Sequence, residues 1–576
     1  MSVSHSAQVF DLEQQLVLSL CENIGTPRAL SVAIQIRYGA WQEILNSKID
    51  WRNYDDRGKF ADDYLVTAIL QKNPRLPTGI DRAKVAIDKF LAAEQQCAET
   101  NIRLLTYSET GIGPDPFVHR VIHYAREFIR TCLGQLSRAD LAFCEENMAF
   151  GPGATTSVSG VVTQGKKYSP RVLDTTPRLV DFGLFASPIG WRKSIEGFAV
   201  RRSSKLTTVP KNAKTDRAIC IEPDLNIFVQ KGIGALIRDK LLRLGLDLTT
   251  QENNRALAQK ASELDLCTID LSAASDTVSQ QVVWLLLPER WAELLHFARV
   301  DFTSLNGEEI ALEKWSSMGN GYTFELETLI FWSILKGVQQ LTNSDGPVIA
   351  FGDDLVCPES DFDLVRRTLE FLGFNVNVEK TFGKGRFHES CGTDWFDGEP
   401  VRPVFLRSEH HDFPTICYIY ANGLRRWAFH RNSGLSCDRR VLPAWLRCFR
   451  AVKPEDRHQI PQGFGDVGVE ADFDRAVPRT PSRGSERRSG GRRLGDKPWR
   501  DSLDGVHPYG WSGYEFSYRH IASRRVTVSE IGSLTAFLNR SSGEWTLGKE
   551  SLRGHYRPAV TRKGHVHTWP HLGPWA

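Results

Sequence analysis

Two adjacent carboxylates, Asp353 and Asp354, follow a glycine and lie between two short apolar runs in Val-Ile-Ala-Phe-Gly-Asp-Asp-Leu-Val-Cys, residues 348–357. Apolar runs of this length around a tight polar turn predict a hairpin with the acids at its tip. Like charges held this close repel, so such a tip either calls for a cation or is an ordinary acidic surface turn. A third carboxylate makes the pattern chemical: in Thr268-Ile-Asp-Leu-Ser-Ala-Ala-Ser-Asp276, Asp270 ends a short apolar strand and small residues then turn the chain. Two strands ending side by side, one with Asp270 and one with Asp353 and Asp354, would form an oxygen-rich site for Mg²⁺. Such a site suits two ions roughly 3.5–4 Å apart, which clamp the attacking and leaving oxygens of a phosphoryl displacement.

Three further stretches fit that chemistry. Lys211, Lys214 and Arg217 recur every third residue in Val-Pro-Lys-Asn-Ala-Lys-Thr-Asp-Arg, which alone reads as an ordinary polar loop but, upstream of Asp270, could line one side of a channel for a triphosphate, the arginine with a forked contact. Between the acidic segments lies Ser-Ser-Met-Gly-Asn-Gly-Tyr-Thr-Phe-Glu-Leu-Glu, residues 316–327. Gly319 and Gly321 permit close backbone approach to a ligand, and Glu325 and Glu327 either serve the site or offset the helix dipole. Lys380, just past an alternating stretch at 374–378, is placed either as a donor of a proton to departing pyrophosphate or as an ordinary surface lysine.

The elements that must hold these residues follow from periodicity. Residues 1–145 read as mainly helical, with clear helical spacing at 83–97 and 117–133, and 160–210 reads as loops and strands. Helical spacing returns at 224–244, an apolar helix is expected over 324–341, and an amphipathic one over 363–372 is stopped by Gly373. A strand is expected over 374–378. Strands between helices without a regular βαβ repeat argue for an α+β fold.

The 576 residues exceed one small core, and 41% hydrophobic with 24% charged residues is a globular composition. The net charge is only +3, so affinity for polyanions has to come from clustering. Residues 478–500 supply a cluster: eight Lys and Arg against Glu486 and Asp496, among Gly, Ser and Pro. That segment is either a polyanion-binding loop or a solvated insertion. Eleven cysteines without a Cys-x-x-Cys pair suit a reducing cytoplasm, with Cys220, Cys267 and Cys357 as core residues, and no apolar span reaches membrane length.

In order along residues 205–407, these segments resemble the catalytic (beta) subunit of the RNA-dependent RNA polymerase, or replicase, of single-stranded RNA bacteriophages. The resemblance rests on 209–217, 268–276, 317–327, Phe351-Gly-Asp-Asp354, Lys380-Thr-Phe382 and Glu389-Ser-Cys-Gly392. It implies a right-hand polymerase copying a phage genome in the host cytoplasm. Residues 1–205 would be an N-terminal helical region and part of the fingers, 206–265 fingers, 266–400 palm, and 401–576 thumb and C-terminal region. It further implies two Mg²⁺ at Asp270, Asp353 and Asp354. Triphosphate contacts fall at Lys211, Lys214 and Arg217, and a nucleotide- and template-handling loop at Gly319 and Asn320. Asp276 would sense the ribose 2′-hydroxyl. Host elongation factors Tu and Ts, and in some groups a ribosomal protein, are implied as partners. Many viral RNA polymerases carry asparagine where this chain has Glu327, and a DNA-making relative's hairpin more often carries an aromatic at the position of Gly352.

Overall fold

The computed structural model describes residues 3–113, 115–159, 167–168, 172–181, 195–407, 412–432, 434, 436–479, 513–520 and 560–573. The basic run at 480–500 lies outside them.

A four-stranded antiparallel sheet sits at the centre. Its order across the sheet is Asn375–Val376, Leu266–Ser272, Asp354–Pro358, Ile349–Phe351. The Leu266–Ser272 strand buries nearly every side chain, as expected of a central strand covered on both faces. The helix Thr323–Thr342 lies behind it, buried along almost its whole length, and packs on Pro116–Leu133. An apolar run of this kind, hydrophobic all round, belongs in the interior. Both helices, the sheet, Asp224–Leu242 and Phe362–Phe371 share one hydrophobic core.

The alternating 374–378 stretch forms only a two-residue strand and then a short 3-10 turn over Val378–Lys380. The Asn377 backbone N–H still bonds the Asp270 carbonyl (2.9 Å), its partner in the strand register, and its side-chain amide bonds Asp270 Oδ2 (2.7 Å); the chain leaves the ladder just beyond, where the Lys380 N–H turns back to the Asn377 carbonyl (2.9 Å). The turn after Asp270 is likewise a 3-10 turn, Ala274–Asp276, with helix resuming at Gln280–Leu286.

Beside the central sheet lies another of four strands, in the order Asp216–Ile221, Ser203–Pro210, Phe302–Leu305, Glu308–Ala311. Its first two strands form a hairpin whose loop holds Lys211 and Lys214.

Another large core joins the two ends of the described chain. Val3–Ile24, Pro27–Arg37 and Arg57–Ala68 pack with Phe413–Arg431 and Leu442–Ala451. At its centre the fully buried Glu13 is ion-paired with Arg75 and accepts hydrogen bonds from Asn73 Nδ2 (2.8 Å) and the Tyr420 hydroxyl (2.5 Å). A small sheet of Val477–Pro478, Tyr514–His520 and Val560–Val566 closes over Ile460, Phe516 and Trp569. No described helix is long and apolar enough to cross a membrane.

Candidate active site

The acidic hairpin forms as the sequence predicts. Ile349–Phe351 and Asp354–Pro358 pair antiparallel around a two-residue turn, Gly352-Asp353. Gly352 has φ +60°, and a Cβ there would lie 2.6 Å from the Phe324 ring and 3.1 Å from Glu327 Oε1. The turn therefore needs glycine twice over, for conformation and for space. No side chain, aromatic or otherwise, fits there without displacing Phe324.

Register then brings the acids together. Asp270 pairs directly with Asp354, so their carboxylates come from opposed positions on neighbouring strands, and Asp353 stands exposed at the tip. Asp354 Oδ1 accepts the Cys391 backbone N–H at 3.1 Å, and Asp270 Oδ2 holds Asn377. Burial, and then the negative charges of Asp353, Asp270 and Glu389, push Asp354 up to about 6, the Cys391 bond opposing. Asp270 is also raised, chiefly by burial, with Lys380 and Asn377 opposing and Asp353 and Glu389 adding. Among the described residues, no three His, Cys, Asp or Glu side chains converge closely enough to hold a metal ion. The donor set nonetheless suits a hard divalent cation: it is all carboxylate oxygen, partly buried, with more negative charge than its surroundings balance.

Lys380 is the one predicted cation that reaches the acids directly, its Nζ 3.8 Å from Asp270 Oδ1. Burial disfavours its charge, but Glu389, Asp270, Asp354 and Asp353 together raise it above the ordinary lysine range. It is thus a protonated ammonium facing four carboxylates.

The basic hairpin divides. Partial desolvation and the like charges of Arg217, Lys380 and Lys89 lower Lys211, with Asp270 opposing, which places Lys211 in the field of the acidic site. Lys214 is lowered by desolvation and by Lys48 and Lys89, opposed by Glu379. It therefore faces a different charged group. Asn212 Oδ1 accepts the backbone N–H groups of Lys214 and Thr215, and this Asx turn separates the two lysines. Arg217 is exposed on the Asp216–Ile221 strand, opposite Val209.

The loop between the acidic segments docks on that same strand. Gly319 has φ +119°, and a Cβ there would lie 2.2 Å from the Cys220 carbonyl oxygen. The Cys220 N–H in turn bonds the Met318 carbonyl at 2.9 Å. Asn320 turns its side chain back to accept the Tyr322 N–H at 3.0 Å. Asp276 is ion-paired with Lys314 at 2.9 Å.

The two glutamates separate as well. Glu325, in the first helical turn, is ion-paired with Arg238 at 2.6 Å. Glu327 is buried under the hairpin; burial first, then Asp353, Glu325 and Asp276, raise its carboxyl well above the usual range, with a hydrogen bond from Ser275 opposing. Its Oε2 has no hydrogen-bond partner, so it is a buried acid rather than a dipole-compensating surface one. Sequence reasoning missed Glu389, Asn377 and Lys314. Glu389 lies in the quoted Glu-Ser-Cys-Gly motif, which was its available signal; the other two carried none.

The model of the RNA replicase, beta-chain family matches residues 16–471. The chain belongs to this family. The RNA-directed RNA polymerase subunit beta of Enterobacteria phage SP is 38% identical over 416 residues, covering 71% of this chain and 70% of that one. The corresponding subunit of Escherichia virus Qbeta is 36% identical over 461 residues, 76% and 75% of the two chains. As a member, the chain is an RNA-directed RNA polymerase, a nucleotidyltransferase. Among solved structures, a loop-deletion mutant of the RNA-dependent RNA polymerase of a human picorbirnavirus is similar at 13% identity and TM-score 0.33, covering 63% of this chain and 85% of that chain. The resemblance read from the motifs is thereby established at the level of family. The 105 residues after 471 fall outside the family match.

Proposed function

We propose that this chain replicates a single-stranded RNA phage genome from ribonucleoside triphosphates at the site built by Asp270, Asp353 and Asp354. The observation that carries the reading is the register of Asp270 against Asp354 at the tip of a glycine-bound hairpin, with Lys380 reaching across. In this reading the three aspartates hold two Mg²⁺. When bound, these ions would lower the pKa of the attacking 3′-hydroxyl and offset charge on the leaving pyrophosphate. The protein does the rest by position. Asn377 fixes the rotamer of Asp270, and the Cys391 N–H fixes that of Asp354.

Lys211 and Arg217 take the triphosphate from the side of the acids, and Lys214 meets it, or the entering strand, farther out. The charged ammonium of Lys380 gives its proton to departing pyrophosphate. The 316–321 loop carries Gly319 and Asn320 and is pinned to the strand of Arg217, so nucleotide and triphosphate are read by one connected piece of backbone. Asp276 contacts the ribose. The central sheet is the palm of a right hand within 266–400, the basic hairpin belongs to the fingers at 206–265, and 401–576 supplies thumb and C-terminal region. The N-terminal helices, in 1–205, pack on that C-terminal part through the Glu13 core. Work in the host cytoplasm, with elongation factors Tu and Ts and a ribosomal protein, belongs to this reading by family resemblance.

Asp353→Asn tests the centre. The exposed tip residue has little packing to lose. Nucleotide incorporation should fall by about three orders of magnitude or more, with RNA affinity within twofold. Retained synthesis would remove the hairpin from the mechanism.

A further inference from the structure

Lys314 is the most deeply buried cation near the site, with 0% of its side chain exposed. Its Nζ bonds Asp276 Oδ1 at 2.9 Å and lies 3.1 Å from Glu94 Oε1, with the Phe90 ring centroid 3.6 Å away. Glu94 also ties down the backbone that carries Lys314, since its Oε2 accepts the Glu313 N–H at 2.6 Å. Residues 90, 94, 97 and 101 form one stripe of the long helix Arg82–Thr110, at spacings of four, three and four. Every member of that stripe touches this assembly. Cys97 Sγ donates to the Asp276 carbonyl (3.5 Å), and Asn101 Nδ2 donates to the Glu313 carbonyl (2.9 Å). The Lys314 carbonyl is in turn held by Arg299 Nη2 at 3.0 Å. A helix almost two hundred residues upstream thus grips the turn bearing Asp276 and the start of the loop leading to Gly319.

This arrangement is costly if it serves stability alone. A buried triad of charges is commonly replaced by packed apolar side chains with no loss of stability. What the triad adds is a fixed carboxylate. Asp276 follows Ser272-Ala-Ala-Ser275, a turn with little bulk to restrain its rotamer. The charge-assisted bond to Lys314 immobilises one of its oxygens. The side chain keeps 18% exposure, so it is not sealed in.

We infer that Lys314, backed by Glu94, is a positioning residue for sugar selection: it locks Asp276 so that the carboxylate's remaining face reads the 2′-hydroxyl of the incoming ribonucleoside triphosphate. A site built around a hydrogen bond to a substrate hydroxyl rejects the analogue lacking it only if the partner is held in place. A swivelling Asp276 bonds water as well as sugar, and selectivity falls before catalysis does. The inference rests on the reading of Asp276 as the ribose contact.

The experiment is the ratio of kcat/KM for GTP to that for dGTP, measured on one RNA template with the full chain and whatever host fraction it needs. Lys314→Met should lower the ratio at least tenfold while most GTP incorporation remains, and Lys314→Arg should restore part of it. Glu94→Gln, of equal size, should lower the ratio several-fold. An unchanged ratio in folded Lys314→Met overturns the inference. Should that variant fail to fold by circular dichroism, an unchanged ratio in Glu94→Gln overturns it instead. Asp276→Asn separates the two levels. If it leaves the ratio intact, the ribose reading of Asp276 fails and the inference with it. If it collapses the ratio while Lys314→Met does not, the inference alone fails.

Discussion

Asp270 and Asp354 show how a residue's surroundings define its chemistry. Both are ordinary acids in the sequence, and both are raised because burial and neighbouring carboxylates oppose their ionisation. The sign follows directly. An acid whose pKa is higher in the folded state than in the unfolded chain binds an extra proton when folded, so its ionisation costs stability as pH rises from about 4 to about 6. A divalent cation binds the ionised form and removes that cost. Mg²⁺ should therefore raise the melting temperature at pH 7.5 and do so much less at pH 5, and in Asp354→Asn the pH dependence of the Mg²⁺ shift should flatten. Differential scanning fluorimetry at the two pH values, with and without Mg²⁺, checks this; an equal shift at both would count against cation binding by these acids.

At the scale of elements, the hairpin and the two buried helices were legible because each carries its own periodic signal. The motifs were legible as a family pattern because several of them recur in order, since a glycine beside paired acids is by itself also an ordinary turn. The Asn375–Val376 strand was overestimated for a physical reason: alternation at 374–378 is a valid strand pattern, but the Lys380 N–H bonds back to the Asn377 carbonyl and closes a 3-10 turn that ends it. Partnerships between elements had no local signal at all. The Glu13–Arg75–Tyr420 cluster joins the first helix to Phe413–Arg431 across some four hundred residues. Arg75→Leu would leave Glu13 buried with only neutral partners. It should destabilise the protein by about 3 kcal/mol, largely recovered in the double variant with Glu13→Gln. Urea denaturation measures both, and additive losses in the double variant would contradict the pairing.

Across the whole molecule, charge is distributed unevenly. Residues 472–576, beyond the family match, hold 18 Lys and Arg against 10 Asp and Glu, so they carry +8, and the preceding 471 residues carry −5 of the chain's +3. A mildly acidic enzyme body thus ends in a basic extension. Replacing the eight Lys and Arg of 478–500 with Gln should weaken binding to single-stranded RNA. It should also reduce the salt slope of log K by roughly 0.7 for each RNA phosphate that is no longer neutralised, while incorporation per bound template stays unchanged. Filter binding across a salt series reads this directly, and an unchanged slope would assign the segment to solvent.

The sequence by itself determined the family. It offered Asp270, Asp353, Asp354 and Lys380 as candidates because metal-assisted phosphoryl transfer uses these residue types, and a turn that tight demands glycine. Only the tertiary structure decided what stands behind them. It set Lys211 apart from Lys214 by an Asx turn, buried Glu327 under the hairpin where its carboxyl is raised well above the usual range, and gave Asp276 a buried lysine held by a helix from the far side of the chain. The reason is the range of the forces involved. Turn conformation and strand alternation are set by neighbours in sequence, whereas desolvation and charge pairing depend on which distant segments the core brings together.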